Sequence, residues 1–199
     1  MSLWDNDMSK NNFLEDINLW KRVIHDDSCD AFSALFRKYY KPLLNYGLRL
    51  VPRKQLVKDS IQELFFTIWD KRERLSEIGN VRSYLYTSFR RTLFRQVEIL
   101  QTWQKRDELY FSETPNEDLL NTEQLLITEE MNRETKENLQ KAFDNLNGHQ
   151  KEVAFLKFYS GLSNDEIGEI MGVKIESVYN YMYRAISTLK ENLEVSLTG

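Results

Sequence analysis

Between Arg82 and Arg106 the chain carries six cations, Arg82, Arg90, Arg91, Arg95, Lys105 and Arg106, against the single acid Glu98, with Tyr84, Tyr86, Phe89, Phe94 and Trp103 interleaved. Basic groups track phosphates and aromatic faces stack on bases freed from a duplex, so this combination suits the capture of a single strand. Tyr84, Phe89 and Leu93 also share one apolar stripe, and an ordinary bundle helix with a basic outer face accounts for the same residues. A second group lies between Gly161 and Leu189. Ser163 with Glu166 three residues on is a capping box, and Ile167, Ile170 and Met171 give a short helix one buried face. Gly172 allows a tight turn and Val173 is the buried turn residue. Val178, Met182, Ala185 and Leu189 then form the inner stripe of a longer helix starting near Lys174. This is a helix-turn-helix pattern, in which the start of the second helix reaches base edges in the major groove. The outward positions are Lys174, Glu176, Ser177, Asn180, Tyr181 and Arg184. A packing element of three helices with no DNA is the competing account. The second helix is poor in positive charge, and phosphate neutralisation dominates affinity for duplex, so the module alone is expected to bind DNA feebly.

The residue inventory excludes most other chemistry. One cysteine, Cys29, and two histidines, His25 and His149, cannot assemble an intramolecular disulfide framework or a Cys/His zinc site of the usual spacing. No Gly-rich phosphate loop and no nucleophile–base pair is present, so the expectation is no catalytic residue, no metal, no cofactor, no small-molecule substrate and no enzyme activity. The N-terminal run Met1-Ser-Leu-Trp-Asp-Asn-Asp lacks a basic region and an apolar core, and no apolar run approaches the ~20 residues that cross a bilayer. With a single cysteine, a reducing, cytoplasmic setting is expected.

The elements that must position these groups read as helices throughout. The chain has 199 residues, 41% hydrophobic and 29% charged, with only 7 Gly and 3 Pro, too few turn residues for an all-β sandwich. Leu14, Ile17, Trp20 and Ile24 trace a first amphipathic stripe; Ala31, Phe32, Leu35, Phe36, Tyr39, Tyr40 and Leu43 trace a second, with Asp27, Ser28 and Asp30 as cap candidates between them. Val57, Ile61, Leu64, Phe65 and Ile68 write a third after Pro52. Val81, Tyr84, Leu85, Ser88, Phe89 and Leu93 write a fourth, opened by Gly79-Asn80. Beyond them a helix through Leu139, Ala142, Phe143 and Leu146 stops at Asn147-Gly148, and another runs from Val153 to Tyr159. Charge divides the chain in three: net +6 from Met1 to Arg106, −8 from Asp107 to Glu137 and −2 from Asn138 to Gly199. The acidic strip, with Pro115 and a polar Phe111-Ser-Glu-Thr-Pro-Asn-Glu run, has the composition of a solvated connector. The expected architecture is all-α: a four-helix domain over 12–106, an acidic linker over 107–137 and a helix-turn-helix domain over 138–196.

Four segments, in order, resemble the extracytoplasmic function (ECF) sigma factors of bacterial RNA polymerase, the smallest members of the sigma-70 family. Asp30-Ala-Phe with Leu35, Tyr39 and Tyr40 resembles the start of sigma domain two. Val57-Lys-Asp-Ser-Ile-Gln-Glu-Leu-Phe-Phe-Thr-Ile-Trp69 is similar to the polymerase-binding helix, and Asn80-Val-Arg-Ser-Tyr-Leu-Tyr86 to the start of the promoter-melting helix. Leu146 through Leu189 resembles sigma domain four. A helix-turn-helix occurs in many regulators, but not behind this Asp-Xaa-Xaa-Gln-Glu helix.

The resemblance implies a non-catalytic specificity subunit whose partners are core RNA polymerase, promoter DNA and an anti-sigma factor, soluble or membrane-anchored. It implies that Asp59, Gln62, Glu63, Phe66 and Trp69 face the polymerase, although Trp69 also continues the core stripe. Gln62 and Glu63 lie off that stripe, so Gln62→Ala with Glu63→Arg is expected to leave the fold intact. It implies that Leu75, Ser88 and Arg91 line a pocket for one flipped base of the −10 element, where Asn80, Arg82, Arg90 and Arg95 also contribute. It implies that Lys174, Ser177, Asn180, Tyr181 and Arg184 meet the −35 element, and that the acidic connector threads the channel by which nascent RNA leaves. The chain departs from the pattern at Arg91, where an Asn is usual, and at Arg95, where many relatives have an acid. Asn offers donor and acceptor but Arg only donors, so the base preferred there is left open. The alternative function is a free-standing helix-turn-helix regulator with an N-terminal sensing or partner-binding bundle; dependence on core polymerase separates the two.

Overall fold

A computed structural model describes residues 3–107 and 145–197, with side chains over 12–102 and 145–190. The acidic strip beyond Asp107, the stripe Leu139, Ala142 and Phe143, and the side chains of Trp103, Lys105 and Arg106 lie outside the described residues. The chain divides into two compact units, Met1–Glu117 and Asp118–Gly199.

The first unit is built from α1 (Leu3–His25), α2 (Cys29–Leu50), α3 (Lys54–Lys71), a 3-10 turn (Arg72–Arg74) and α4 (Val81–Asp107). α1 packs on α2, α2 on α3, α3 on α4, and α1 and α2 both reach α4. The apolar stripes meet at the centre, where Trp20, Leu35, Leu43, Tyr46, Ile61, Leu85, Phe89 and Leu93 are all within 2% of complete burial. Pro42 sits inside α2 without ending it, because the buried residues Leu35, Tyr39, Leu43 and Tyr46 flank it on one face and their packing outweighs the lost backbone hydrogen bond.

The corner between α1 and α2 is closed on itself. Ser28 N–H donates to the Arg22 carbonyl (3.1 Å) across Asp27, which adopts φ +48°, the left-handed conformation that normally ends a helix on glycine. Ser28 then caps α2, its hydroxyl accepting from Ala31 N–H.

A polar cluster fastens α1 to α2. The buried Asp16 carboxylate accepts a hydrogen bond from Tyr39 Oη (2.5 Å) and pairs with Lys38 Nζ (2.7 Å), which also reaches Glu15 (2.8 Å). Burial, and then the bond to Asp16, push the Tyr39 phenol well above its ordinary range. Burial opposes the charge on Lys38, but its bonds to Asp16 and Glu15 outweigh that and raise it too. The fold therefore holds both protons more tightly than the unfolded chain does. Their contribution is complete below about pH 10, the ordinary value for both groups, and is lost as pH rises further. Urea midpoints of the first unit are expected to fall above pH 10, and Tyr39→Phe to flatten that slope by up to about 1.4 kcal/mol per pH unit. A slope identical in the variant would show that Tyr39 keeps no excess proton affinity.

The second unit contains α5 (Gly148–Ala154), a π-helical turn (Phe155–Tyr159), α6 (Asn164–Met171) and α7 (Ile175–Leu197). Asn147 and Gln150 form a capping box at the start of α5, so Asn147-Gly148, read from the sequence as a helix stop, begins a helix. Ser163 and Glu166 form the second box, at the start of α6. Gly172 follows α6 at φ +67°, where any side chain would be strained, and α7 opens three residues on. α5 and α6 both pack on α7, burying Val153, Leu156, Ile167, Ile170, Val178 and Ala185.

Candidate nucleic-acid and protein interfaces

Side chains on a helix rotate by about 100° per residue, which sorts the candidate residues by the direction they face. On α3 the core side is Val57, Ile61, Leu64, Phe65 and Ile68. Opposite it, Asp59, Gln62 and Phe66 form one solvent-facing row, Asp59 accepting from Gln55 (2.8 Å) and Phe66 being 70% exposed. Glu63 and Trp69 are on the two shoulders of that row. Glu63 leans on α4, where Gln96 Nε2 donates to it at 2.6 Å and Arg95 forms an ion pair with it. Partial burial works against its charge, but the bonds from Gln96 and Arg95 outweigh that and hold the carboxyl below its usual range. Trp69 leans the other way, on Phe32 of α2 (ring centroids 5.0 Å apart), with the Arg72 guanidinium 4.4 Å from its ring centre. Three of the five sequence-selected residues are thus free to meet a partner, and two also join helices. Glu63→Arg would set a second guanidinium against Arg95, so the stability cost hidden from the stripe argument belongs to that substitution and not to Gln62→Ala.

On α4 the outward row is Tyr84, Ser88, Arg91 and Arg95, spaced four, three and four residues apart. Tyr84 and Ser88 are half-buried, and Arg91 and Arg95 are exposed. Asn80 is a helix cap, its Oδ1 accepting from Ser83 N–H at 2.9 Å. Arg82 lies on another side of the helix, close enough for its charge to act on the Tyr39 phenol. The Arg90 guanidinium covers the Phe94 ring at 4.8 Å. Arg95 is shared with Glu63, which joins the α3 row to the α4 row. Leu75 is half-buried just after the 3-10 turn, on the segment that leads into α4. The structure therefore gathers Ser88, Arg91 and Arg95 on one face, uses Asn80 as a helix cap and sets the half-buried Arg82 on another side.

On α7 the inward residues are Val178 and Ala185, with Met182 and Leu189 half-buried beside them. Asn180 and Arg184 are exposed and Ser177 half-exposed on one flank; Lys174, at the turn, is exposed and its carbonyl accepts from Ser177 N–H at 2.9 Å. Tyr181 is half-buried on the other flank, stacking on the exposed His149 of α5 with ring centroids 5.1 Å apart and planes at 22°. Its sequence position among outward residues hid this, because one residue of rotation separates it from Asn180. The residues missed by pattern reading are Tyr179 and Tyr183, 57% and 74% exposed. Counting turns outward from Glu176 and Asn180 finds Tyr183 at the next step. An open groove of about 460 Å³ runs along the turn between Asp165, Gly168, Glu169, Gly172 and Lys174. Its two acids make it a poor seat for phosphate. Among the described residues no group of His, Cys, Asp and Glu is placed to hold a metal ion.

Known proteins share sequence and fold with this chain. Residues 35–99 match the family described as sigma-70 region 2, and residues 136–189 that described as sigma-70 region 4. The RNA polymerase sigma factor YlaC of Bacillus subtilis (strain 168) is 29% identical over 170 residues, covering 84% of this chain and 94% of YlaC. Two solved structures share the fold. One is the sigma factor RpoE in complex with the anti-sigma factor NepR from Bartonella quintana, at 20% identity and TM-score 0.60, covering 82% of this chain and 97% of that one. The other is CnrH in complex with the cytosolic domain of CnrY, at 16% identity and TM-score 0.59, covering 91% and 98%.

Proposed function

This chain belongs to the sigma-70 family, as an ECF sigma factor that directs RNA polymerase to promoters, and from that membership we propose how its two units divide the work. The first unit docks on core polymerase through Asp59, Gln62 and Phe66, and presents Leu75, Ser88 and Arg91 to an unstacked base of the −10 element. The second presents Ser177, Asn180 and Arg184 to the −35 element, with Lys174 on phosphate. Residues 107–137 connect the two domains, 12–106 and 138–196, within reach of the nascent-RNA path. An anti-sigma factor, soluble or membrane-anchored, is the regulating partner, by likeness to the two complexes. The setting is the cytoplasm, where polymerase and promoter meet; among the described residues no helix is long and apolar enough to cross a membrane.

The observation that carries this reading is the charge of α7. The exposed cations Arg184 and Lys190 on it and Lys174 at the turn before it are partly offset by Glu176, which leaves too little charge to neutralise the phosphates a duplex-binding module needs. Tethering to polymerase makes the second contact intramolecular and removes that need. Run-off transcription on genomic fragments tests it: transcripts are expected only with core polymerase, and the chain alone is expected to leave the same fragments unshifted at physiological salt. Tight, specific binding without polymerase would identify a free-standing regulator instead. On a promoter so found, Asn180→Ala is expected to change the preferred base at one −35 position by about 1–3 kcal/mol, and Lys174→Ala to weaken all sequences alike. Selection from a randomised −35 element reads both, and an unaltered consensus from Asn180→Ala would remove that residue from direct readout.

A further inference from the structure

The segment Arg72–Asn80 has little structure of its own, a 3-10 turn followed by open chain, yet it is anchored at four points. Arg72 Nε donates to Asp27 Oδ1 at 2.5 Å, and another guanidinium nitrogen donates to the Trp69 carbonyl at 2.8 Å. The Ser76 carbonyl accepts from the indole N–H of Trp20 at 3.2 Å. Glu77 is gripped by Lys21 (2.7 Å) and His25 (3.1 Å). Asn80 closes the segment by capping α4. Three of these anchors come from α1 and the corner behind it, elements that the reading of −10 capture does not use.

Two of the three have features that simple packing does not call for. Asp27 occupies a left-handed position that glycine would take without strain, and what its side chain adds there is the carboxylate on Arg72. Trp20 is 1% exposed and works in two directions: its N–H holds Ser76, and its ring meets Tyr84 edge-on at 5.1 Å and 64°. Tyr84 is one turn before Ser88 on the outward row of α4. A single indole thus fixes both the segment that carries Leu75 and the face that carries Ser88 and Arg91. Glu77 is half exposed, and its ion pairs add less, as solvent-screened pairs do.

We propose that Trp20 and Asp27 are positioning residues for promoter recognition: they set the spacing between Leu75 and the Ser88–Arg91 face, and so the selectivity for the base captured there, without touching DNA. A loop already held in place loses little freedom when a base enters, whereas a loose one must be ordered at the expense of the discrimination it provides. The proposal rests on the reading of Leu75, Ser88 and Arg91 as the capture site.

The test uses holoenzyme assembled on forked promoters whose −10 base at the captured position is varied through all four bases and an abasic nucleotide. Trp20→Phe keeps an aromatic ring but removes the N–H together with the second ring, so its thermal melt is read beside its selectivity, and Asp27→Gly is the variant that opens no cavity. Asp27→Gly removes the carboxylate while relieving the strained backbone, so a purely structural role predicts unchanged or improved stability and unchanged selectivity. Both variants are expected to hold core polymerase within twofold of wild type and to bind the abasic fork equally well, yet to lose about tenfold in discrimination between best and worst base. Unchanged discrimination in both variants, with Arg91→Asn altering it, would overturn the positioning role alone. Absence of base discrimination in wild type, untouched by Arg91→Asn and by Leu75→Ala, would overturn the capture site and this inference with it.

Discussion

Replacing Gly47 by leucine is expected to unfold the first unit at temperatures where the wild type is fully folded, and with it to abolish polymerase binding. A Cβ built on Gly47 would stand 2.5 Å from Val57 Cγ1 and 2.7 Å from Phe89 Cζ, both side chains being fully buried. Val57 is β-branched and short, and the Phe89 ring meets Tyr46 at 6.1 Å, so neither neighbour has a free rotamer to retreat into. At Gly47 α2 meets side chains of both α3 and α4. A single extra carbon already falls in the range of core overpacking, about 1–3 kcal/mol, partly offset by the roughly 1 kcal/mol that alanine gains over glycine in a helix. Leucine adds three more carbons with nowhere to place them. A loss beyond the ~3 kcal/mol upper end of ordinary overpacking is therefore expected, a large share of the 5–15 kcal/mol typical of a domain. Thermal unfolding of the first unit measures it. The milder Gly47→Ala should be partly rescued by Val57→Ala, and a strictly additive double mutant would place the strain elsewhere.

Gly47 also marks what the sequence could not disclose. The helices were legible because each writes its buried stripe at three- and four-residue steps, and the helix-turn-helix because its capping box, turn glycine and inner stripe are local. Gly47 has no local signature: a glycine inside a helical pattern reads as a weak spot, and only the crossing of three helices gives it a purpose. The same applies to side-chain assignments near the edge of a stripe. Tyr181 and Asn180 are adjacent in sequence, but the rotation between them decides that one stacks on His149 while the other faces solvent. Glu63 and Arg95 were expected to meet different partners, polymerase and the strand backbone, and their mutual ion pair was not legible, because it joins positions 32 residues apart. Asn80 read as part of a strand-facing surface, and its capping of α4 was not legible there. Aromatic exposure was likewise hidden: Tyr179 and Tyr183 look like further ring residues of a helix until their side is known. In each case the sequence supplies residue type and approximate face, and the missing information is which neighbouring helix stands at that face.

Phe66→Ala is expected to weaken assembly with core polymerase more than any other single substitution on the α3 face, with the melting temperature of the first unit unchanged within a degree or two. Among the described residues, Phe32, Phe36, Phe65 and Trp69 pack together between α2 and α3, and Tyr46, Tyr86 and Phe89 between α2 and α4. Phe66 remains 70% exposed at one end of a row whose other members, Asp59 and Gln62, are polar. Full burial of such a ring is worth about 1.5–3 kcal/mol, none of which the isolated fold collects in full. A buried aromatic ringed by polar contacts is the usual composition of a binding hot spot, where truncation costs about 2–4 kcal/mol, or roughly 30- to 1,000-fold in affinity. Gln62→Ala removes a small polar group and little apolar area, and should cost far less. Glu63→Gln should lower the melting temperature by weakening the pair with Arg95 and affect polymerase chiefly through that loss. Titration of core polymerase with labelled chain, run beside thermal melts, separates the three variants: affinity falls alone for Phe66, stability falls first for Glu63, and neither moves much for Gln62. Wild-type affinity from Phe66→Ala would take the polymerase away from this face of α3 and leave the exposed ring to some other partner of the first unit.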